Sequence, residues 1–334
     1  MRLALLSLLL LATSVGAVAQ QAQCAGAAAA SPEPIKLDSA TRRSLILKVT
    51  GQLKKSYVDR ELGQKVADAL LAHERHGDYD GIADGPDFAA LLTRHMRDVS
   101  QDAQLEVIYS RTPLPERRAG LITEVSAGYR QAMQQSNCTF EKVEVMPHNI
   151  GYVKLNSFPE ASVCRQTATE TMAKLNSVDV IIFDLRDNRG GFPNMVVLIA
   201  AYLFDHPEYL YNPRENTTEQ SWTRSPVPGN KLADKPVYVL TSPRTISGAE
   251  QFTYDLKMLK RATIVGETTA GAAHSGVFHR IDDHFGIGIR EVRPINPFGR
   301  RDWDGTGIEP DVKVNAADAL ATAQRLAESR LQKK

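Results

Sequence analysis

Apolar residues recur at helical spacing three times in the first third of the chain. Leu45, Ile46, Val49 and Leu53 form one face, Leu62, Val66 and Leu70 a second, and Phe88, Leu91, Leu92 and Met96 a third. Gly77, Gly81, Gly85 and Pro86 punctuate these segments as turn residues. The period then shortens to two at Leu105, Val107 and Tyr109, as in a half-buried strand. Arg111 to Arg117 contains prolines and reads as the start of a linker.

A different rhythm follows. Ile150-Gly-Tyr-Val-Lys-Leu155 reads as a strand, and a polar helix is expected from Ala161 to Leu175. Val178 to Leu185 is almost continuously apolar, the mark of a strand buried on both faces. Pro193 suits the first position of a helix. Pro236 to Leu240 repeats the buried-strand pattern, a helix is expected from Ser247 to Leu259, and Ala262 to Val265 is a further strand. His279 and His284 fall on an expected hairpin and are read as structural. Ala316 to Leu331 is a charged amphipathic helix. Strands alternating with helices predict a mainly parallel α/β core preceded by a small helical domain. The expected divisions are a helical domain over 41–112, a linker over 113–142 and the core over 143–334.

The N-terminus alters this picture. Arg2, a run of leucines and alanines, and Ala17-Val-Ala19 have the charge, apolar core and small-residue site of a signal peptide over 1–19. An Ala, Gln and Pro-rich leader follows over 20–40. Cys24 lacks the preceding residues that lipidation requires. The chain is therefore expected to be exported, periplasmic or secreted, with no transmembrane segment after signal cleavage. Cys138 and Cys164 lie on either side of a strand and are either a disulfide or two free thiols. With a formal net charge of +1 and no basic block, nothing suggests a nucleic-acid partner. No metal or cofactor is expected.

Candidate chemistry falls on three loops at the carboxyl ends of predicted strands, where open α/β sheets place their sites. Arg186-Asp-Asn-Arg-Gly-Gly191 carries adjacent glycines, which let backbone N–H groups approach a ligand or simply make a tight turn. Thr241 to Glu250 places Ser247 at a helix N-terminus, with Gly248 beside it. The same residues fit a Ser-x-x-Glu capping box, in which Ser247 and Glu250 only satisfy backbone donors. Trp303 to Asp311 contributes Asp304 and Glu309 from a turn-rich loop.

Four blocks resemble, in order and spacing, the tail-specific (C-terminal processing) serine peptidases. They are Asp184-Leu-Arg-Asp-Asn-Arg-Gly-Gly191, Thr245-Ile-Ser-Gly-Ala-Glu250, Val265-Gly-Glu-Thr-Thr269 and Gly305-Thr-Gly-Ile-Glu-Pro-Asp311. The branch most like this chain includes tricorn-protease cores and the repeats of interphotoreceptor retinoid-binding protein. The resemblance implies a crotonase-like α/β core, a peptide or protein substrate, and an acyl-enzyme on Ser247. Gly190 or Gly191 with Gly248 would hold the oxyanion. Ala272 occupies the position of the Lys in Ser-Lys members, and Gln104 that of the His in the tricorn-like branch. An amide has no useful basicity. His274 is then the replacement base, with Asp304 as its orienting acid. The stretch between Tyr109 and Val145 leaves no room for the PDZ module of many members. A peptide- or lipid-binding protein on the same fold is the alternative.

Overall fold

The structure is a computed structural model and describes residues 37–114, 126–213, 220–223, 226–296, 298–299 and 302–333. The expected signal peptide and most of the expected leader lie outside these residues. Three helices, α1 (Ser39–Ser56), α2 (Arg60–His76) and α3 (Gly85–Ser100), open the described chain. Asp38 and Asp59 cap the first two by accepting the N–H groups of Thr41 and Leu62 at 2.7 and 2.9 Å. Gly77 ends α2 in the left-handed conformation, φ 83°. The three apolar faces read from the sequence meet in one core, with Leu53, Val66, Leu70, Phe88, Leu92 and Met96 all buried.

That core also contains residues from far along the chain. β1 (Glu106–Tyr109) pairs antiparallel with β10 (Phe285–Val292), which forms a hairpin with β9 (Ser275–Arg280). Phe285, Ile287 and Ile289 of the hairpin pack into the helical core. The helical region is therefore completed by a hairpin about 180 residues away in sequence. His279 pairs with Glu291, and His284 Nδ1 lies 2.9 Å from the Ser110 carbonyl.

Residues 113–142, expected to be a linker, include α4 (Ala127–Gln135) and the start of β2 (Phe140–Met146). The sequence pattern missed α4 because its inward face is only Tyr129 and Met133, both half-buried, too short an apolar stripe to read.

The main sheet has six strands in the order β11-β8-β7-β4-β3-β2. It comprises β2, β3 (Ile150–Leu155), β4 (Val180–Asp184), β7 (Val237–Thr241), β8 (Ala262–Gly266) and β11 (Val312–Lys313). Only β2 runs antiparallel to its neighbour. A separate pair, β5 (Tyr209–Tyr211) and β6 (Ser221–Trp222), lies between β4 and β7 in the chain. Alternation along the strands divides the sheet into two dry faces. Ile181, Phe183, Val237, Val239 and Ile264 pack with α5 (Ala161–Lys174), α6 (Pro193–Ala201) and α7 (Gly248–Met258). Ile150, Val180, Ile182, Tyr238 and Val265 pack beneath α8 (Ala319–Leu331). Burial on both faces explains the unbroken apolar runs of β4 and β7. Cys138 and Cys164 form a disulfide that ties the segment before β2 to α5. No helix among the described residues is long and apolar enough to cross a membrane.

Candidate active site

The parallel strands end together, so the loops after β4, β7 and β8 meet at one edge of the sheet. Asp184 closes β4 as a buried carboxylate. It is gripped by Arg186 through Nε at 2.9 Å and Nη2 at 2.6 Å, and by Tyr152 Oη at 2.7 Å. This fixes the start of the glycine loop. Asn188 steers the rest: its Nδ2 donates to Leu155 O at 2.6 Å and its Oδ1 accepts Gly190 N–H at 2.8 Å. Ser242 Oγ donates to Arg186 O, Thr245 Oγ1 to Leu185 O, and Ile246 N–H to Asn188 O, at 2.5, 2.8 and 3.2 Å. The glycine loop and the serine loop are thus stitched into one unit.

Ser247 stands just ahead of α7 with φ 58° and ψ −119°. An ordinary N-cap residue has extended backbone with negative φ, so this is more than a cap. A non-glycine residue held there stores strain on the order of 1–3 kcal/mol, a condition that clusters at active sites. Glu250 provides the restraint. It is fully buried, and its Oε2 accepts the N–H groups of Ser247 and Ala272 at 2.8 and 2.9 Å. Its Oε1 accepts Thr269 Oγ1 and Gly271 N–H at 2.6 and 2.7 Å. The capping-box acid is therefore also the clasp that brings the loop after β8 against Ser247.

The glycines fit for steric reasons. A Cβ on Gly190 would lie 2.8 Å from Ser247 Cβ, and one on Gly191 would lie 2.0 Å from Phe158 O. Gly191 has φ 134°, which is open to glycine alone. A Cβ on Gly248 would lie 3.0 Å from Gly191 N, so the two residues sit against each other. Gly190 N–H is already spent on Asn188, which removes it as an oxyanion donor and leaves Gly191 and Gly248. No acceptor for either of those N–H groups is present among the described residues.

The groups expected to move the proton are assembled differently. His274 is partly buried between two acids, with Nε2 3.0 Å from Asp302 Oδ2 and Nδ1 3.4 Å from Asp304 Oδ2. Asp304 Oδ1 accepts Ala273 N–H at 3.1 Å, and its Oδ2 is 3.3 Å from Arg290 Nη1. Arg290 Nε is 3.2 Å from Asp102 and 3.3 Å from Gln104 Oε1, and Asp102 accepts Tyr57 Oη at 2.9 Å. Gln104 and Asp304 therefore do meet, although some 200 residues separate them, through an arginine on β10. Burial raises the Asp302 carboxyl, but hydrogen bonds from His274, Arg293 Nε and Asp304 N–H outweigh it and lower its pKa to about 2. One ring nitrogen of His274 thus faces Asp304 and the other faces Asp302. Gln104 presents an amide oxygen to a guanidinium, and Ala272 presents a methyl group.

Several of these residues escaped the sequence reading. Glu250 was legible only as a cap, because its loop partners lie 19 to 22 residues on. Arg290, Asp302, Asp102 and Tyr57 lacked any local pattern. An arginine amid the apolar alternation of Ile287 and Ile289 was the one available signal.

Two family profiles match the chain. One, described as peptidase family S41, covers residues 149–314, and the other, the N-terminal domain of that family in eukaryotic IRBP, covers residues 34–147. A carboxyl-terminal-processing protease of Synechocystis is 27% identical over 166 residues, covering 50% of this chain and 38% of the relative. Carboxyl-terminal-processing peptidase 2 of Arabidopsis chloroplasts is 32% identical over 165 residues, covering 48% and 31%. The chloroplastic C-terminal processing peptidase of Tetradesmus obliquus is 24% identical over 300 residues, covering 85% and 64%. The chain thus spans between 31% and 64% of the length of these relatives. Among solved structures, the photosystem II D1 C-terminal processing protease superposes with a TM-score of 0.55 at 16% identity, covering 83% of this chain and 94% of that one. A lipoprotein from Streptococcus agalactiae gives 0.57 at 14% identity, covering 89% and 99%. At such identities these two likenesses speak for the fold alone.

Proposed function

This chain belongs to peptidase family S41, and from that premise we propose that it hydrolyses peptide bonds through an acyl-enzyme on Ser247. The observation that carries the reading is the conformation of Ser247, φ 58° at a helix N-terminus, beside the unspent N–H groups of Gly191 and Gly248. Ser247 Oγ would attack the scissile carbonyl, and the oxygen, as it gains charge, would settle between those two donors. The positive end of α7 favours the same charge.

The proton acceptor we assign is His274, oriented by Asp304. Ser247 N and Ala272 N share one carboxylate oxygen and so lie no more than about 6 Å apart. His274 lies two residues on, with Nε2 on Asp302, so to act as the base it must exchange Asp302 for Ser247 Oγ. Acylation is therefore expected to be slow compared with an enzyme whose base already touches its serine, a contact worth about 10²–10⁴ in rate. The substrate is a peptide or protein. Export to the periplasm or medium is supported by the N-terminal sequence and by the Cys138–Cys164 disulfide, which persists in an oxidising compartment.

A second reading, a peptide- or lipid-binding protein on the same fold, is favoured by one observation: both His274 nitrogens face carboxylates. A fluorophosphonate probe separates the two. Labelling of the mature protein that disappears in Ser247→Ala supports the peptidase. No labelling of either protein sinks it and leaves the binding reading.

A further inference from the structure

The two edges of the six-stranded sheet are finished differently. One edge, β11, is two residues long and offers a partner strand almost nothing to pair with. The other edge, β2, has seven residues and is bonded along one side only, to β3. From Lys142 to Met146 its register is unbroken, with no proline, glycine or bulge. Alternate residues of an edge strand turn N–H and C=O groups outward. Among the described residues, no backbone hydrogen bond beyond those to β3 reaches residues 142–146. Glu141, Lys142 and Val145 are exposed, Val145 to 56%. Edge strands that stay single are commonly blunted by a lysine or another charge. Lys142 does not serve in that way, because Glu144 Oε1 on the same face lies 2.7 Å from its Nζ and cancels its charge.

We propose that β2 is the interface of a homodimer, in which two copies pair β2 with β2 antiparallel about a twofold axis at Val143 and join their sheets into one.

Charge selects the register. A symmetric antiparallel pair centres on one residue and its copy, so the possible registers differ in which residue sits on the axis. With Val143 there, Lys142 stands opposite the partner's Glu144, and Glu144 opposite the partner's Lys142. Opposite charges so placed stabilise a sheet, and like charges destabilise it. Centring on Lys142 would set two lysines face to face, and centring on Glu144 two glutamates. On the other face the two Val143 side chains meet at the axis, and each exposed Val145 lies diagonal to the partner's Val143. Glu141 would stand opposite the partner's Val145, and its charge is already met by Lys154 Nζ at 2.8 Å. Glu-Lys-Val-Glu-Val over 141–145 is thus complementary to itself, as an isologous contact requires. A seam of one strand buries less surface than a permanent dimer needs, so a dissociation constant of about 10–100 μM is expected. The pairing is independent of the chemistry at Ser247.

The test is sedimentation velocity of the mature protein from about 1 to 500 μM. The natural protein is expected to pass from monomer to dimer across that range. Lys142→Glu sets carboxylates opposite carboxylates, and Glu144→Lys sets ammonium groups opposite ammonium groups. Each variant alone is expected to self-associate at least about tenfold more weakly. Mixed in equal amounts, the two variants are complementary again and are expected to form a heterodimer with about the natural affinity. The two substitutions combined in one chain should likewise restore the dimer. Rescue in the mixture also excludes misfolding as the cause of the single-variant losses. A natural protein that stays monomeric at about 500 μM would overturn the proposal. So would undiminished dimers of the two single variants, which would place the interface elsewhere, or a mixture that stays monomeric.

Discussion

The two halves of the site are built from different materials. On the nucleophile side, Ser247, Gly190, Gly191 and Gly248 are set by backbone: positive φ angles, contacts too close for a side chain, and a buried Glu250 that takes three N–H groups. On the acceptor side, Gln104, His274 and Asp304 are set by charged side chains, with Arg290 and Arg293 among four acids and amides. A backbone arrangement tolerates almost no substitution. A side-chain network can exchange members and still close its ion pairs. We propose that this difference is why the serine loop is present while Ala272 and Gln104 stand where the resemblance to the family would place the usual bases.

If the contrast is right, a single methyl group should do most damage on the nucleophile side. In Gly191→Ala the new Cβ meets Phe158 O at 2.0 Å in a glycine-only conformation. We expect a loss of about 4 kcal/mol or more, seen by urea unfolding, together with loss of probe labelling. Gln104→Ala, on an exposed side chain, should stay within about 0.5 kcal/mol. Comparable losses in both would remove the distinction. Next in size is the disulfide. Cys138 and Cys164 are 26 residues apart and bracket Phe158, whose backbone holds Gly191 through bonds of 2.7 Å to Gly190 O and from Phe192 N. Cys138→Ser with Cys164→Ser should cost about 3 kcal/mol and slow the labelling of Ser247. Slower labelling with unchanged stability would mean that the bridge acts on the loop alone.

The acceptor side can be tested by adding rather than removing. Because Ala272 N and Ser247 N share Glu250 Oε2, a lysine at 272 starts beside the serine. Ala272→Lys is expected to raise the labelling rate by about 10²-fold, at the low end of general-base effects. An unchanged rate in a folded protein would show that side chains at 272 point away from Ser247, and would undo the alignment on which the missing-base argument stands.

The same contrast decided what the sequence could reveal. Strands buried on both faces leave unbroken apolar runs, so β4 and β7 were legible, and the double glycine after β4 was legible because few other residues fit there. Ser247 was legible by its place before α7, but its positive φ was not, since that comes from Glu250 and the loop after β8. The acceptor side was almost opaque. Arg290 meets Asp102 and Gln104 only because β1 pairs with β10, and no local period encodes a partner about 180 residues away. The resemblance to the family located Gln104, Asp304 and His274 but not the arginine that joins two of them. Helix α4 was missed for a different reason, since a face of only Tyr129 and Met133, both half-buried, is too short to show a period.

Proton equilibria extend the comparison to one carboxyl on each side. Asp302, beside His274, has its pKa lowered to about 2 from 3.8 by hydrogen bonds that outweigh burial. The folded state therefore holds its charged form. The stability it contributes is present above about pH 4 and is lost as pH falls towards 2. Asp255 lies on α7, two turns past Ser247, and the reverse holds there. Burial is its dominant influence and raises its pKa well above 3.8, against weaker opposition from Gln251 and Asn296. Its Oδ1 accepts Gln251 Nε2 at 2.7 Å, and its Oδ2 has no partner among the described residues. For Asp255 the unfolded chain releases its proton first, so the contribution to stability is complete below about pH 4 and declines as pH rises. Asp255→Asn keeps the oxygen that faces Gln251 and cannot ionise. Urea unfolding between pH 3 and 7 should therefore show the variant gaining on the natural protein as pH rises, by on the order of 1 kcal/mol at pH 7. Asp302→Asn should fall behind by a similar order above pH 4, with the gap closing in acid. Parallel pH profiles for all three proteins would mean that neither carboxyl is displaced, and that the two sides differ in sterics alone.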